Sequence, residues 1–261
     1  HEKKRLCNIE TGRKLLYKRI PISKKLKGED MKNYKKLLYI LFGLTLSVVL
    51  LLTAVDIVTF NTDHYLNEYE KHGVAAVTGM DMDNLEHVTE ELLSYLKGDR
   101  ENLDMKAIIK GEKREVFRER EKLHMVDVKE LFVAGRRIRN IGVLLLVAML
   151  IYFITKDRLW RKSISKTLIY TSMANVDLII ILFLLMYFDF TKYFDYFHYI
   201  FFDNDLWILN PKTDIMIQML PEAFFYNTAV KIALIYIGSI ITLGLTGYWG
   251  HRRNRDYTKI V

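Results

Sequence analysis

Residues 197–225 read FHYIFFDNDLWILNPKTDIMIQMLPEAFF. The stretch lies between two strongly apolar runs, yet it carries aromatics, acids, Pro211, Pro221 and one histidine, His198. It is too polar for the lipid interior and too aromatic for bulk water. It belongs at a membrane surface, where Tyr and Trp bury a ring and keep a polar atom hydrated. The fold around it is therefore a membrane fold.

Working outward, four runs are long enough to cross a hydrocarbon core of about 30 Å, which takes roughly 20 helical residues. They are Leu37–Phe60, Ile138–Thr155, Thr167–Phe188 and Asn227–Trp249. The first is too long, and lacks too clearly a small-residue cleavage site, to be a signal peptide; it reads as a retained span. Flanking charge sets the orientation. Lys32, Lys35 and Lys36 precede the first span, and Lys156, Arg158, Arg161, Lys162 and Lys166 join the second to the third. Arg252, Arg253, Arg255 and Lys259 follow the fourth. Short basic segments resist translocation, so both termini are expected in the cytoplasm and the loop around His198 outside.

The expected architecture is a mainly α membrane protein, four transmembrane helices with a small α+β extracellular domain between spans one and two. Residues 1–30 form a basic N-terminal extension and 31–60 the first transmembrane helix. Residues 61–137 are the extracellular domain, 138–155 the second helix, 156–166 a cytoplasmic loop and 167–188 the third helix. Residues 189–226 are an extracellular aromatic loop, 227–249 the fourth helix and 250–261 a cytoplasmic tail. The extension reads either as translated upstream sequence or as a basic arm drawn to anionic lipid; no function is placed on it.

Lys and Arg total 39 against 31 acids, with 51% of residues hydrophobic. Because the basic residues cluster beside apolar runs, the partner they imply is a membrane surface and not nucleic acid. The single cysteine, Cys7, excludes an intramolecular disulfide and reads as a bystander.

Within the extracellular segment, Asp81 caps a helix through Lys97, with Leu85, Val88, Leu92, Leu93 and Leu96 at helical spacing and Gly98 as its stop. Met105–Ile109 and Glu115–Phe117, separated by residues 110–114, suggest a hairpin. Arg118 to Asn140 reads as one helix feeding span two. Its core is thin for its length, so the domain is expected to lean on the bilayer.

The helix before span two contains HMVDVKELF, His124 to Phe132. His124 and Asp127 share a face, so the carboxylate can orient the imidazole. Alone, HxxD more often marks an ordinary solvated helix face. Asp177 in span three reads either as a functional intramembrane carboxylate or, the favoured reading, as a protonated structural acid bonded to a neighbouring helix. Arg136, Arg137 and Arg139 stand at the mouth of span two. Asp56 reads as a boundary residue, and His64, His72 and His87 as surface residues; His251 lies in the tail.

HMVDVKELF before span two, followed by FHYIFF and DLWILNPKTDIMIQMLPEAFF between spans three and four, resembles the bacterial lipoprotein intramolecular transacylase family, Lit. The resemblance runs from Met31 to about Arg255. It implies an enzyme that moves the sn-2 acyl chain of a diacylglyceryl-modified lipoprotein onto the α-amino group of the same cysteine, giving the lyso form. His124 and His198 match the family's two essential histidines. No cofactor or metal is implied, the partners are lipoproteins and membrane lipid, and a monomer is expected.

The chemistry fits these residue types. An α-ammonium (pKa about 8) must lose its proton before it attacks an ester, and a His near 6.5 can accept it. The oxyanion needs a donor and the glyceryl oxygen a proton. Nucleophile and ester in one substrate make proximity a large term and an acyl-enzyme unnecessary. The expected assignment is His124 as base, Asp127 as its orienter and His198 as oxyanion donor or acid. Arg136, Arg137, Phe197 and Trp207 are the candidates for substrate binding.

Two other classes compete. A metal-dependent membrane hydrolase would draw ligands from His124, Asp127, His198 and Asp203 or Asp205, though no HExxH is present. A non-catalytic four-span sensor would bind a ligand in the extracellular domain. Walker, GxSxG and dinucleotide signatures are absent. For the enzyme, His124 lies 14 residues before Ile138, about 21 Å of helix, so a bend at Gly135 is expected. Arg118–Ala134 would then lie flat on the membrane and the Phe197–Trp207 loop would close over it, bringing the imidazoles within about 10 Å.

Overall fold

Four long helices carry the apolar runs. The computed structural model describes residues 22–257, with side chains described for 33–253. The part of the expected basic arm from Ile22 onward is helical backbone continuous with the first span; residues 1–21, Cys7 among them, lie outside the described residues.

Helix α1 (Ile22–Thr59) leads into α2 (Thr62–His72), α3 (Val74–Thr78) and α4 (Met82–Lys97). A hairpin of β1 (Lys106–Ile109) and β2 (Glu112–Glu115) precedes α5 (Glu119–Lys156). Then come α6 (Trp160–Phe188), α7 (Phe190–Phe201), α8 (Ile215–Met219) and α9 (Glu222–Tyr257). Helices α1, α5, α6 and α9 are each long and apolar enough to cross a membrane.

Small residues let the spans approach closely. A Cβ on Gly247 of α9 would stand 2.9 Å from the Ser165 carbonyl oxygen of α6, and Ser172 Oγ of α6 donates to Ile240 O of α9 at 2.9 Å. Between lipid-facing helices such contact stabilises through dispersion and hydrogen bonds, because lipid tails are as apolar as the helices themselves. Gly247→Leu is therefore expected to force α9 from α6 and cost about 1–3 kcal/mol. Gly238→Ala, where a Cβ meets nothing within 4 Å, serves as the silent control. Thermal unfolding in detergent checks both.

Asn175 supplies the polar link across the spans. Its Nδ2 donates to Ser47 Oγ of α1 at 2.8 Å, and its Oδ1 accepts from Tyr236 OH of α9 at 2.6 Å. This corrects the expectation for Asp177, which is exposed on α6 and makes no hydrogen bond to a described residue. Two residues apart on a helix point to nearly opposite sides, so only one of the pair can face the bundle.

Between α1 and α5 the chain builds a second core. Asp81 Oδ1 accepts from Asn84 N at 2.8 Å to start α4, and Gly98 ends it with φ 90°. Leu85, Val88, Leu92, Leu93 and Leu96 are buried, as their spacing requires. The expected thin core is thickened from elsewhere. Ile215, Met216, Met219 and Leu220, from the segment between α7 and α9, and Phe224 at the start of α9 pack into the same cluster as Tyr69, Ile109 and Phe117.

The hairpin differs from its sequence reading. The turn is only Lys110–Gly111, with φ of 56° and 82°, the twist that two-residue hairpins prefer. The second strand is Glu112–Glu115, all four residues exposed. Val116 and Phe117 turn their side chains into the core, Val116 N still donating across to Met105 O at 3.1 Å. The aromatic loop also differs: its first part is α7, which carries His198 and starts at Asp189, whose side chain accepts from Lys192 N at 3.1 Å.

Candidate functional site

Helix α5 runs 38 residues without interruption, including through Gly135, where a bend was expected. A lone glycine does not stop a helix whose backbone hydrogen bonds stay intact. At about 57 Å, α5 is nearly twice the hydrocarbon thickness, so its first turns extend beyond the apolar run 138–155. His124 sits on those turns. His198 reaches it on α7, and the ring centroids are 6.2 Å apart at 37°.

Both histidines are buried, each 7% exposed. Phe202 packs against the two rings, at 5.3 Å from His124 and 5.6 Å from His198. Trp207 stacks on His198 at 4.5 Å and 23°, and Phe194 and Phe197 meet the same ring edge-on. His198 Nδ1 lies 2.7 Å from the Phe194 carbonyl oxygen. A carbonyl can only accept, so Nδ1 carries the hydrogen and Nε2 keeps its lone pair. His124 Nδ1 is buried and has no partner among the described residues.

The remaining candidates divide. Asp127 Oδ2 accepts from Asn204 Nδ2 at 2.9 Å, and no hydrogen bond joins it to His124 among the described residues; it acts on that imidazole through its charge. Arg137 lines a groove of about 1010 Å³ together with Val126, Leu131, Tyr199, Phe202 and Asn204. Arg136 is committed elsewhere: its guanidinium donates to the Leu96 and Lys97 carbonyls at 2.8 Å each, finishing α4, and lies over the Phe60 ring. Arg139 pairs with Asp56. His64, expected at the surface, is buried with Nε2 2.8 Å from Thr228 Oγ1. Among the described residues, no three His, Cys, Asp or Glu side chains converge as a metal site.

Three contributors escaped the sequence reading: Phe202, Asn204 and Glu121. Glu121, fully buried one turn before His124, accepts from Arg118 N at 2.8 Å and from Met216 N at 2.7 Å. It ties the start of α5 to the start of α8.

Residues 40–225 match the family model described as lipoprotein intramolecular transacylase Lit. The chain belongs to the Lit family. Its fold is similar to solved structures of the membrane-integral Lit from Bacillus cereus. One has a TM-score of 0.73 at 22% identity, covering 86% of this chain and 99% of that one. A variant of that protein with one histidine replaced by arginine gives 0.73 at 21% identity, over 90% and 99%. A variant with alanine at the same histidine gives 0.72 at 22%, over 88% and 99%. No curated protein sequence matches significantly. This Lit protein is thus a multi-pass membrane protein of the lipoprotein transacylase family.

Burial, then the neighbouring His198, lowers the His124 pKa from 6.5 to about 4; the Asp127 charge opposes the shift only in part. Burial also lowers His198, against the Phe194 carbonyl and Asp195. A folded-state value below the unfolded one means that the folded protein binds fewer protons between pH about 4 and 6.5. The His124 contribution is intact above that window, and stability falls as pH drops through it, by about 3 kcal/mol at full protonation. Relative to His124→Gln, the wild type should lose unfolding temperature as pH falls from 7 to 4. A pH-independent difference between the two would contradict a buried neutral imidazole.

Proposed function

We propose that this Lit protein transfers the sn-2 acyl chain of a diacylglyceryl-cysteine lipoprotein to the α-amino group of the same cysteine. The observation that carries the reading is the buried histidine pair, with His198 Nδ1–H fixed on a carbonyl and its Nε2 left to accept a proton.

The geometry supports the opposite division of roles from the one expected from sequence. His124, held neutral by burial, is a poor base at neutral pH but a competent N–H donor. His198 Nε2 takes the proton from the α-ammonium, and the freed amine attacks the ester carbonyl carbon. The oxyanion accepts a hydrogen bond from His124. As the tetrahedral centre collapses, the bond to the glyceryl oxygen breaks and that oxygen takes the first proton from His198; the nitrogen then gives up its second proton through the freed His198 Nε2 to water. The products are an amide, a free sn-2 hydroxyl and one proton, the one the ammonium carried beyond the neutral amine. Stacked Trp207 favours the transient imidazolium through its ring face.

The groove beside the pair offers Val126, Leu131, Tyr199 and Phe202 for acyl chains and Arg137 for polar headgroup atoms. Lys156, Arg158, Arg161, Lys162 and Lys166, at the opposite end of α5 from His124, support a site on the extracellular side. The reaction named for the Bacillus cereus relative supports the same reading. Mass spectrometry of a lipoprotein N-terminal peptide, with and without this protein, tests it. The expected result is one acyl chain moved from glycerol to nitrogen at constant mass; a gain of one acyl group would overturn it.

A further inference from the structure

Arg120, His124 and Asp127 recur at helical spacing on one face of α5, and residues 202–207 cross that face. The strap is pinned on both sides of His124. Before it, Arg120 pairs with Asp205 at 3.5 Å; after it, Asp127 Oδ2 accepts from Asn204 Nδ2 at 2.9 Å. The first pin is exposed, at 43% and 77%, where an ion pair holds weakly. The second is partly buried and charge-assisted.

Asn204 also organises the other side of the site. Its Oδ1 accepts from Leu206 N at 3.0 Å, and its backbone oxygen accepts from Trp207 Nε1 at 3.1 Å. Trp207 in turn lies flat on His198. The histidines stand on separate helices, α5 and α7, and Phe202 of the same strap packs against both rings. One asparagine therefore bonds, on one side, to the carboxylate a turn beyond His124 and, on the other, to the indole that seats His198.

We propose that Asn204 is a positioning residue that sets the spacing of the two imidazoles, with Asp127 as its anchor on α5. The proposal rests on the transacylase reading for its kinetic consequence, while the clamp itself is a structural statement. It gives Asp127 a role besides its charge on His124: holding the strap in place.

The test uses the full-length protein in a Trp160→Phe/Trp249→Phe background, so that fluorescence reports Trp207 alone. Asn204→Asp sets two carboxylates against each other. It is expected to lower kcat about 10²-fold with KM little changed, as misplaced catalytic groups do, and to shift Trp207 emission to the red. The exchange Asp127→Asn/Asn204→Asp restores a donor facing a carboxylate. It should return emission to the wild-type position and kcat to within about tenfold of wild type. A double variant that stays as slow as Asn204→Asp, or a single variant whose Trp207 emission does not move, would overturn the clamp. If the wild type makes no N-acylated product, the transacylase reading fails, and the emission shift with its reversal still decides the clamp.

Discussion

Replacing His198 by alanine is expected to lower acyl transfer about 10²–10⁴-fold while the protein still inserts and folds, because a positioned general base contributes on that order. The argument rests on one nitrogen. His198 Nδ1 is held by the Phe194 carbonyl, so Nε2 is the atom left for the α-ammonium proton. His124→Ala should cost about 10²–10³-fold, the effect of removing one oxyanion donor. The double variant should fall little below the worse single one, since the two groups serve the same transition state. Single-turnover transfer in proteoliposomes, with detergent unfolding run alongside, measures this. Near-normal transfer by either single variant would remove the paired-histidine mechanism.

Glu121→Ala carries the largest expected loss of stability, about 2–5 kcal/mol, because a buried N–H donor and a part-buried one lose their acceptor at once. Those donors are Arg118 N at the start of α5 and Met216 N at the start of α8. Burial raises the Glu121 pKa although both hydrogen bonds favour the anion, so desolvation is the dominant effect on this carboxyl. Glu121→Gln keeps only one acceptor oxygen and turns an amide N–H toward the other donor, so it should recover no more than part of the loss. Denaturant unfolding of the three proteins gives the order expected: wild type, Gln, Ala. An alanine variant as stable as wild type would show that the α5–α8 tie is not what holds the His124 turn.

The four spans were legible because about 20 consecutive apolar residues have a single physical meaning for a helix. Helix α4 was legible for a different reason: Asp81, five leucine-type positions at helical spacing and Gly98 all agree. Strand β2 was not, since Glu112–Glu115 is exposed on both faces and shows no alternation of polarity. In α7 the helical period is present, with Phe190, Phe194, Phe197 and Phe201 at i, i+4, i+7 and i+11, but its place in a short link between two spans made the segment read as a loop.

The site shows the same limit. His124 and His198 entered through family resemblance, and their 6.2 Å approach is a property of the fold. Asn204 and Glu121 are single polar residues whose partners lie 77 and 95 positions away along the chain. Nothing local marks Asn204, and Glu121 shows locally only as the third residue of α5, bonded back to Arg118 N. Arg136 has a structural task the sequence did not show: a cation at a membrane mouth reads as a ligand contact, and here it also closes the end of α4.

The central claim is that nucleophile and acyl donor belong to one molecule. The most direct test is a crossover experiment with purified protein in liposomes. One lipoprotein population carries deuterated acyl chains on a light peptide; the other carries ordinary chains on a heavy-isotope peptide. Mass spectrometry of the N-acylated products should find deuterated acyl groups only on light peptides and ordinary ones only on heavy peptides. Crossed products in proportion to the mixture would contradict intramolecular transfer.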